Sequence, residues 1–366
     1  MTVLATFNCD ALTGGTSRAL DAIPTATPID GYQVVDGCRA FVEIGGVLKP
    51  FVFDSSQTDA TQTTVFPNII RPLDYSSAGV WVEQFTGAPG VNILINGAPD
   101  VWQHGTSGFV AGDVAADMWQ ILGSGTTASQ LIANAIPGKG RNAKTLRMTN
   151  ASAAAGYLYQ RISSEKSKKL VDKYVTASFW TSNYGDTSSG MEINMLYPTS
   201  GIADGWSSYT SVGSQTIWLD GSAPASGWAF CTATFGPLPE SVKYGLGYRI
   251  GRVGSTSHDT LFAFLKLEPG KIYTPFEFID PDAVLSECQR YYFKIDDVVV
   301  SNSDSVRLAN NIIWPVTMRA APTITVSNVS GGSGVAFGYA TIHGCYQTIP
   351  NSSAARCTLE ASAELF

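Results

Sequence analysis

Short runs in which hydrophobic and polar residues alternate dominate the chain, and this period of two is typical of β-strands with one buried face. Between residues 28 and 83 the runs YQVV, AFVEIG and PFVFD are separated by glycine and proline, which predicts a small unit of strands and turns. Residues 1–27 are rich in Thr, Ala and Pro and are weakly patterned. We therefore predict an extended N-terminal arm over 1–27, a β module over 28–84 and a linker, FTGAPG, over 85–90.

From residue 91 to about 278 the alternating runs become longer. Eight of them predict strands: KTLRMTN, YLYQRI, KYVTASFWT, MEINMLY, QTIWLD, GWAFCTATF, YGLGYRIGR and DTLFAFLKLEPG. Strands of this length separated by turns are typical of a two-sheet sandwich. The pattern predicts a mainly β chain with a central jelly-roll sandwich over 91–278.

The segment DPDAVLSECQRYYFK (280–294) is the clearest predicted helix. Asp280 is a natural N-cap residue and Pro281 suits the first helical position. Helical spacing brings four residues to one face that should meet a core: Leu285, Cys288, Tyr291 and Tyr292. The runs DDVVVSN, NIIWPVTM, TITVSN, GVAFGYATI and RCTLEASAEL follow, so we predict a short helix plus a C-terminal β domain over 279–366.

Composition and charge exclude several classes of protein. Only 14% of the residues are charged, against about 25% in ordinary globular proteins, and the net charge of −7 argues against nucleic acid as a partner. No apolar run is long enough for a membrane span, and the first residues lack a secretory signal pattern. The cysteines lie far apart without a CxxC pair and are expected to be free and mostly buried: Cys9, Cys38, Cys231, Cys288, Cys345 and Cys357.

The residues that could carry chemistry form no catalytic or metal-binding pattern. The three histidines, His104, His258 and His343, have no ligand partners at close spacing, so no metal is expected. Neither a phosphate-binding loop nor a GxSxG elbow is present. A glycosidase needs two carboxylates that face each other across a cleft, and the sequence alone does not show which side chains meet. Five carboxylates are candidates: Asp113, Asp117, Glu192, Asp204 and Asp220. We predict no enzymatic activity and no cofactor.

Six of the eight tryptophans fall into two groups. Five lie inside patterned apolar runs and are expected in cores: Trp102, Trp119, Trp180, Trp228 and Trp314. Trp206 and Tyr209 lie instead in the small-residue loop TSGIADGWSSYTS (199–211), and exposed rings on loops stack on the apolar faces of sugars. Two alternatives stay open, namely that the loop folds back and buries Trp206 or that Trp206 packs against a neighbouring subunit.

Five segments of the chain resemble bacteriophage tail fibres and receptor-binding proteins. VNILINGAPDVWQHGTS…AADMW (91–119) has the Trp-Gln, Gly-Thr-Ser and Asp-X-Trp of that family, with His104 and Met118 where arginine is usual. LKLEPGKIYTPFEFIDPDAVLSECQRYYFK (265–294) is similar to the junction in those fibres, and WPVTMRAAPTITV (314–326) and ASAEL (361–365) follow in the same order. VFDSS…NIIRP…AGVWVEQ (52–84) resembles the small module that tethers fibres to the virion.

The resemblance implies an N-terminal attachment module, a sandwich like carbohydrate-binding modules, a terminal β domain and a homotrimer. Trp102 and Trp119 would anchor the start of the sandwich. Gln103 and His104 would form hydrogen bonds with backbone atoms there, and Gly105 to Ser107 would form a turn. Further residues belong to the matching motifs and are expected to be structural: Asp117, Glu268, Cys288, Tyr291, Tyr292, Met318 and Arg319. The departures at His104 and Met118 put any shared salt bridge at those positions in doubt.

The function implied is that of a non-catalytic virion component, assembled in the host cytoplasm, which attaches the particle to a bacterial surface polysaccharide. Its N-terminal region would contact other tail or baseplate proteins. Loops at the distal end would bind the glycan, with six candidate residues: Trp206, Tyr209, Tyr339, His343, Tyr346 and Gln347. Two alternatives remain, a baseplate or fibre adaptor without receptor contact and a glycan depolymerase.

Overall fold

A computed structural model gives the fold, and it confirms that the chain is mainly β. It describes residues 6–9, 19–23, 34–35, 38–44, 47–54, 69–70, 80–83, 90–133, 136, 143–150, 156–184, 190–218, 228–253, 258–271, 273–300, 311–330, 336–348 and 355–365. Within these residues the strands form five sheets.

The first sheet has five strands in the order β1-β2-β3-β5-β4. They are β1 (Thr6–Cys9), β2 (Arg39–Ile44), β3 (Val47–Asp54), β4 (Ile69–Ile70) and β5 (Val80–Glu83). The Trp81 ring is fully buried and meets Phe7 and Phe53 edge to face. The described residues of the predicted arm are packed rather than free, because β1 pairs with β2 and Leu20 is fully buried.

Two further sheets form the central sandwich of the jelly-roll type. Their strands are β6 (Phe109–Val110), β7 (Gln120–Leu122), β8 (Thr126–Ala133), β9 (Ala143–Asn150), β10 (Gly156–Ile162), β11 (Val175–Tyr184), β12 (Gly190–Pro198), β13 (Tyr209–Trp218), β14 (Trp228–Phe235), β15 (Leu246–Val253) and β16 (His258–Pro269). The five-stranded sheet has the order β13-β12-β15-β10-β7 and the six-stranded sheet the order β14-β11-β16-β9-β8-β6. All eight runs predicted as strands are strands, whereas β6, β7 and β8 were not predicted.

The core of the sandwich lies between these two sheets and is built by strict alternation. On β14 every second residue is buried, and β12 contributes Met191, Ile193 and Met195 to the same core. Trp119 and Phe179 are fully buried there, and each such side chain adds about 1.5–3 kcal/mol through burial. The alternate residues of each strand therefore point to the outer faces. A short helix α1 (Ser164–Ser167) follows β10.

The C-terminal part contains a helix and two small sheets. The helix α2 (Pro281–Gln289) begins as predicted, with the Asp280 side chain accepting a hydrogen bond of 2.8 Å from the Asp282 N–H. It ends earlier than predicted, because Tyr292 starts a strand that pairs with the last strand. The strands are β17 (Tyr292–Val300), β18 (Asn311–Ile313), β19 (Thr323–Ser330), β20 (Ala336–Thr341), β21 (Gly344–Thr348) and β22 (Ala355–Ser362), arranged as β17-β22-β19 and β18-β21-β20.

An apolar junction joins the sandwich to α2 and the C-terminal residues. Its buried members are Ile95, Val101, Met118, Tyr159, Leu196, Trp206, Cys288, Tyr291 and Leu365. Arg319 crosses the junction, with Nη1 at 2.9 Å from Oδ2 of Asp204 and Nε donating to the Ala363 carbonyl at 3.2 Å. This junction covers one end of the outward-facing side of the five-stranded sheet. Within the part of the chain that the structure describes, the side chains at the other end stay partly exposed, and we call it the open end.

Candidate functional site

The outer face of the five-stranded sheet carries an aromatic and polar surface. On β10, Leu158 and Ile162 face the core, so Tyr157 and Tyr159 point outward by alternation. Strand pairing sets two rows across the sheet. In the first row Tyr157, Gly251 and Glu192 are neighbours, and in the second row Tyr159, Arg249 and Asn194 are neighbours. We call this surface the outer face.

Glu192 lies at the centre of a hydrogen-bonded network on the outer face. Its Oε2 accepts from the Tyr157 hydroxyl at 2.7 Å, and its Oε1 accepts from the Ser214 hydroxyl at 2.8 Å. Burial alone would raise the pKa of Glu192, but these bonds outweigh it and hold the pKa below its ordinary value. The pKa of Tyr157 rises to about 12 through burial and the bond to Glu192. The carboxylate is therefore ionised and fixed at neutral pH.

Glycines on β15 allow the tyrosine rings to lie against the sheet. A Cβ at Gly251 would lie 2.4 Å from Cδ1 of Tyr157, and one at Gly247 would lie 2.8 Å from the Tyr159 ring. Between these glycines Arg249 places its guanidinium carbon 4.4 Å from the centre of the Tyr157 ring, a cation–π distance. The spacing Gly-X-Arg-X-Gly thus builds a layer of rings with one cation on it.

Of the two loop aromatics, only Tyr209 is exposed. Trp206 is 9% exposed, so the expectation of an exposed ring is wrong, and the alternative that the loop folds back holds. The indole meets Tyr159 edge to face at 6.1 Å, and Gly245, whose φ is +142°, leaves room for it: a Cβ there would lie 2.9 Å from the indole. Tyr209 begins β13 and is 46% exposed, 6.3 Å from the Tyr159 ring. Its contact with sugar stays a prediction.

The open end of the outer face is where a ligand can reach these groups. Tyr159 is 1% exposed and is covered by the junction, whereas Tyr157, Glu192 and Arg249 are partly exposed and Ser214 is exposed. Nearby, Asn194 accepts from the Ser211 hydroxyl at 2.8 Å. Hydroxyls, an amide, a carboxylate and a guanidinium thus surround one aromatic ring.

The candidates in the C-terminal domain are only partly described. His343 is exposed in the turn between β20 and β21. Tyr339 lies on β20, and Tyr346 and Gln347 lie on β21, but their side chains lie outside the described set. The role of these four residues in binding stays a prediction.

The motif residues of the first resembling segment build the start of the sandwich. Gln103 donates through Nε2 to the Asp117 carboxylate and to the Tyr292 carbonyl, the latter at 3.0 Å. The Trp102 indole donates to Pro99 O at 2.6 Å, and the fully buried Trp119 donates to Asn96 O at 3.0 Å. His104 differs from expectation, because it faces a side chain, Glu364, rather than backbone.

The motif residues of the later segments lie in or beside buried contacts. Glu268 is fully buried, 3.2 Å from the Lys266 ammonium, and accepts from the Thr274 N–H. Cys288 and Tyr291 belong to the junction, and Met318 is 2% exposed.

Three of the other carboxylates singled out in the sequence accept hydrogen bonds from backbone N–H groups. Asp113 accepts from Val110 N–H at 2.9 Å, Asp117 from Gln103 N–H at 2.7 Å, and Asp204 from Ser164 N–H at 2.7 Å. Asp220 lies outside the described residues. In the described part of the chain no group of three or more His, Cys, Asp and Glu side chains could hold a metal ion. None of the helices described there is long and apolar enough to cross a membrane.

The outer face was missed from sequence because its members are brought together by strand pairing. Tyr157 is 35 residues from Glu192, and Ser214 is 22 residues from it. The sequence does carry one local signal. Every second residue of YLYQRI is Tyr, Tyr or Arg, and every second residue within YGLGYRIGR is Gly, Arg or Gly. Alternation places these residues on the outward side of two predicted strands, where aromatic rings and glycines are uncommon.

Comparisons with known proteins give distant likenesses. No protein-family model and no curated protein matches the chain. TmCBM61, solved with β-1,4-galactotriose, is 13% identical over 49% of this chain and 99% of that chain, with a TM-score of 0.29. The CBM22-1 xylan-binding domain of Paenibacillus barcinonensis Xyn10C is 12% identical over 51% and 99%, with a TM-score of 0.31.

A phage protein is among the similar structures. The enzymatically active domain of bacteriophage CBA120 tailspike protein 4 is 14% identical over 49% of this chain, with a TM-score of 0.31. The match spans only 22% of that tailspike chain. Scores of this size assign neither a family nor a function to the present chain.

Proposed function

We propose that the chain is a non-catalytic phage tail fibre or receptor-binding protein that binds a bacterial surface glycan at the open end of the outer face. The observation that carries the glycan part is the ordered set of Tyr157, Glu192, Ser214 and Arg249. The phage part rests on the resemblance of the segments 91–119 and 265–294 to tail fibres.

The chemistry of this surface suits a sugar. A pyranose has an apolar C–H face, which packs on an aromatic ring, and hydroxyls at its rim, which need both donors and acceptors. Each oxygen of Glu192 already accepts one hydrogen bond and can accept another from a ligand hydroxyl. Because the network is held in place before binding, little conformational entropy is lost when a sugar docks.

Weak single sites are compatible with attachment to a cell. Several copies on one particle raise the overall affinity through effective concentration without any new contact. A homotrimer, contacts with other tail proteins through residues 1–84, and a location in the virion tail belong to the same proposal.

The experiment uses the fluorescently labelled full chain on a panel of bacterial strains, with and without periodate oxidation of the surface glycans. Tyr157→Phe and Glu192→Gln remove parts of the network, and Tyr174→Phe and Glu240→Gln are matched controls away from it. We expect the wild type to bind at least one strain and to stop binding after periodate treatment. The affinity of the two site variants should fall by roughly tenfold or more, since a hydrogen bond to a charged group contributes about 1.5–3 kcal/mol. The two control variants should bind like the wild type.

Other outcomes would contradict parts of the proposal. Binding that survives periodate would rule out a glycan receptor, and equal binding by site and control variants would move the site away from the outer face. Absence of binding to every strain would favour the adaptor. Release of new reducing ends from purified polysaccharide would favour the depolymerase.

A further inference from the structure

We infer that the junction between the sandwich and the C-terminal domain is a pH-sensitive contact, closed by protonated His104 and loosened when His104 loses its proton. The inference is independent of glycan binding, because it concerns the covered side of the sandwich and not the open end of the outer face.

His104 connects the two parts of the molecule. Its ring stacks on Tyr292 of β17 with centres 3.7 Å apart, and its Nε2 lies 3.4 Å from Oε1 of Glu364, beyond β22. Both of these atoms are buried, and among the described residues neither has a hydrogen-bond partner. Their contact as an ion pair is therefore what compensates the burial of each group.

The groups around His104 are mainly acidic. Asp117 acts on it from the segment between β6 and β7, and Glu360 and Glu364 act on it from β22 and the segment beyond. Tyr292, whose pKa is raised by burial and by Glu360, supplies the stacked ring. Cys288 of α2 borders the same cluster, and burial together with the charges of Asp117 and Glu364 raises its pKa.

Among the described residues, two cations lie farther out, Lys294 and Arg161. Lys294 approaches Glu360 to 3.8 Å but also Asp296 to 3.8 Å. Arg161 donates to the Leu365 carbonyl at the far end of the junction. Three carboxylates thus surround one imidazole, and a proton on His104 reduces their mutual repulsion.

The sign of the pH effect follows from the His104 pKa. Burial alone would lower this pKa, but the contact with Glu364 and the charges of Asp117 and Glu360 outweigh it and raise the pKa above its ordinary value of 6.5. A group with a raised folded pKa stabilises the closed state fully below its open-state pKa and loses that effect as the pH rises through the folded value. The contact is therefore strongest in mild acid and weakens on the alkaline side.

The effect is one of local opening rather than of unfolding. The ion pair of Arg319 with Asp204 and the bond of Gln103 to the Tyr292 carbonyl also join the two parts and do not involve His104. They hold the two parts together when His104 is neutral. What changes is the frequency with which the C-terminal segment leaves the sandwich.

Amide hydrogen exchange of the full chain between pH 5.5 and 8.5 measures this opening. The amide of Ala363, next to Glu364, donates to Tyr291 O at 2.7 Å within the C-terminal part. This bond has to break when the last segment leaves the junction, and the peptide 355–365 contains the amide. After correction for the intrinsic exchange rate, we expect the opening constant to rise with pH from roughly pH 6.5, by at most about tenfold per pH unit, until the pH passes the folded pKa. Strand β11 serves as an internal reference.

Three variants make the test specific. His104→Arg keeps its charge at every pH used and should give a flat profile, and Glu364→Gln should lower the His104 pKa measured by NMR and flatten the profile. His343→Gln changes an exposed histidine and should leave the wild-type profile unchanged.

Equal pH profiles for wild type and His104→Arg would overturn the inference. If His104→Arg fails to fold, a His104 NMR pKa at or below 6.5 in the wild type would overturn it as well.

Discussion

At the scale of single residues, Trp206 is a structural anchor of the sandwich. Its indole is enclosed by Tyr159, Leu196 and the glycine at 245, and the guanidinium carbon of Arg161 lies 5.4 Å from its centre. The loop 199–208 is closed beneath it, with Thr199 N–H donating to Ser208 O at 3.0 Å. A ring in this position supports the surface on which Tyr159 and its neighbours lie.

This role predicts the effect of Trp206→Ala. Truncation of a buried tryptophan leaves a cavity, so we expect the free energy of unfolding to fall by about 3–5 kcal/mol. Tyr209, the first residue of β13, is 46% exposed, so Tyr209→Ala should change the free energy of unfolding by less than about 1 kcal/mol. Urea unfolding of both variants is the measurement. A drop below about 1 kcal/mol for Trp206→Ala would contradict the buried placement.

At the scale of elements, α2 depends on its first turn. The helix has nine residues, which is too short to be stable by propensity alone. The Asp280 carboxylate satisfies the Asp282 N–H, and Cys288 anchors the other end in the junction. The cap and one buried side chain therefore fix the position from which β17 starts.

We expect Asp280→Ala to lower the stability of the protein by about 1 kcal/mol, since the N–H groups of the first turn lose their acceptor. Ser286→Ala is the matched control in the same helix, because its hydroxyl only bonds the Asp282 carbonyl on an exposed face and alanine favours helix. Thermal unfolding of both variants separates the two effects. Equal destabilisation by both changes would mean that the cap is not what holds the helix.

Strands with strict alternation could be predicted from sequence, and those without it could not. MEINMLY and GWAFCTATF match β12 and β14 because their alternate residues reach one large core. TTASQLIA was missed as β8 because its pattern is reversed: Thr126 is 1% exposed and Ile132 is 66% exposed. The helix was predicted to run too far because Tyr291 and Tyr292 also fit helical spacing, while pairing with β22 turns Tyr292 into the start of a strand.

The candidate site could not be predicted because it depends on register. Glu192 was visible only as one carboxylate among several, and nothing local indicates that β15 lies between it and Tyr157. Once that pairing is set, Gly251 occupies the position between the two side chains, and the absence of its Cβ allows the hydroxyl of Tyr157 to reach the carboxylate. Long-range pairing, rather than residue type, creates the site.

At the scale of the whole molecule, the buried cores differ in size. Among the described residues, ten side chains form the core of the N-terminal sheet and thirty form the core of the sandwich. Because stability grows with the apolar area that is buried, the sandwich should be the most stable part. The cysteines are distributed over these parts, with Cys9 and Cys38 in the first core and Cys231 in the second.

This distribution makes thiol reactivity a probe of the order of unfolding. All six cysteines are free and buried, and burial raises the pKa of Cys231 far above its ordinary value and that of Cys345 to about 11, so the reactive thiolate is scarce at neutral pH. We expect negligible labelling by a maleimide in the native protein and six labelled thiols in denaturant without reductant. With increasing urea, mass spectrometry should detect Cys9 and Cys38 first and Cys231 last. Labelling of Cys231 together with Cys9 would show that the two cores unfold as one unit, and fewer than six labelled thiols in denaturant would reveal a disulfide.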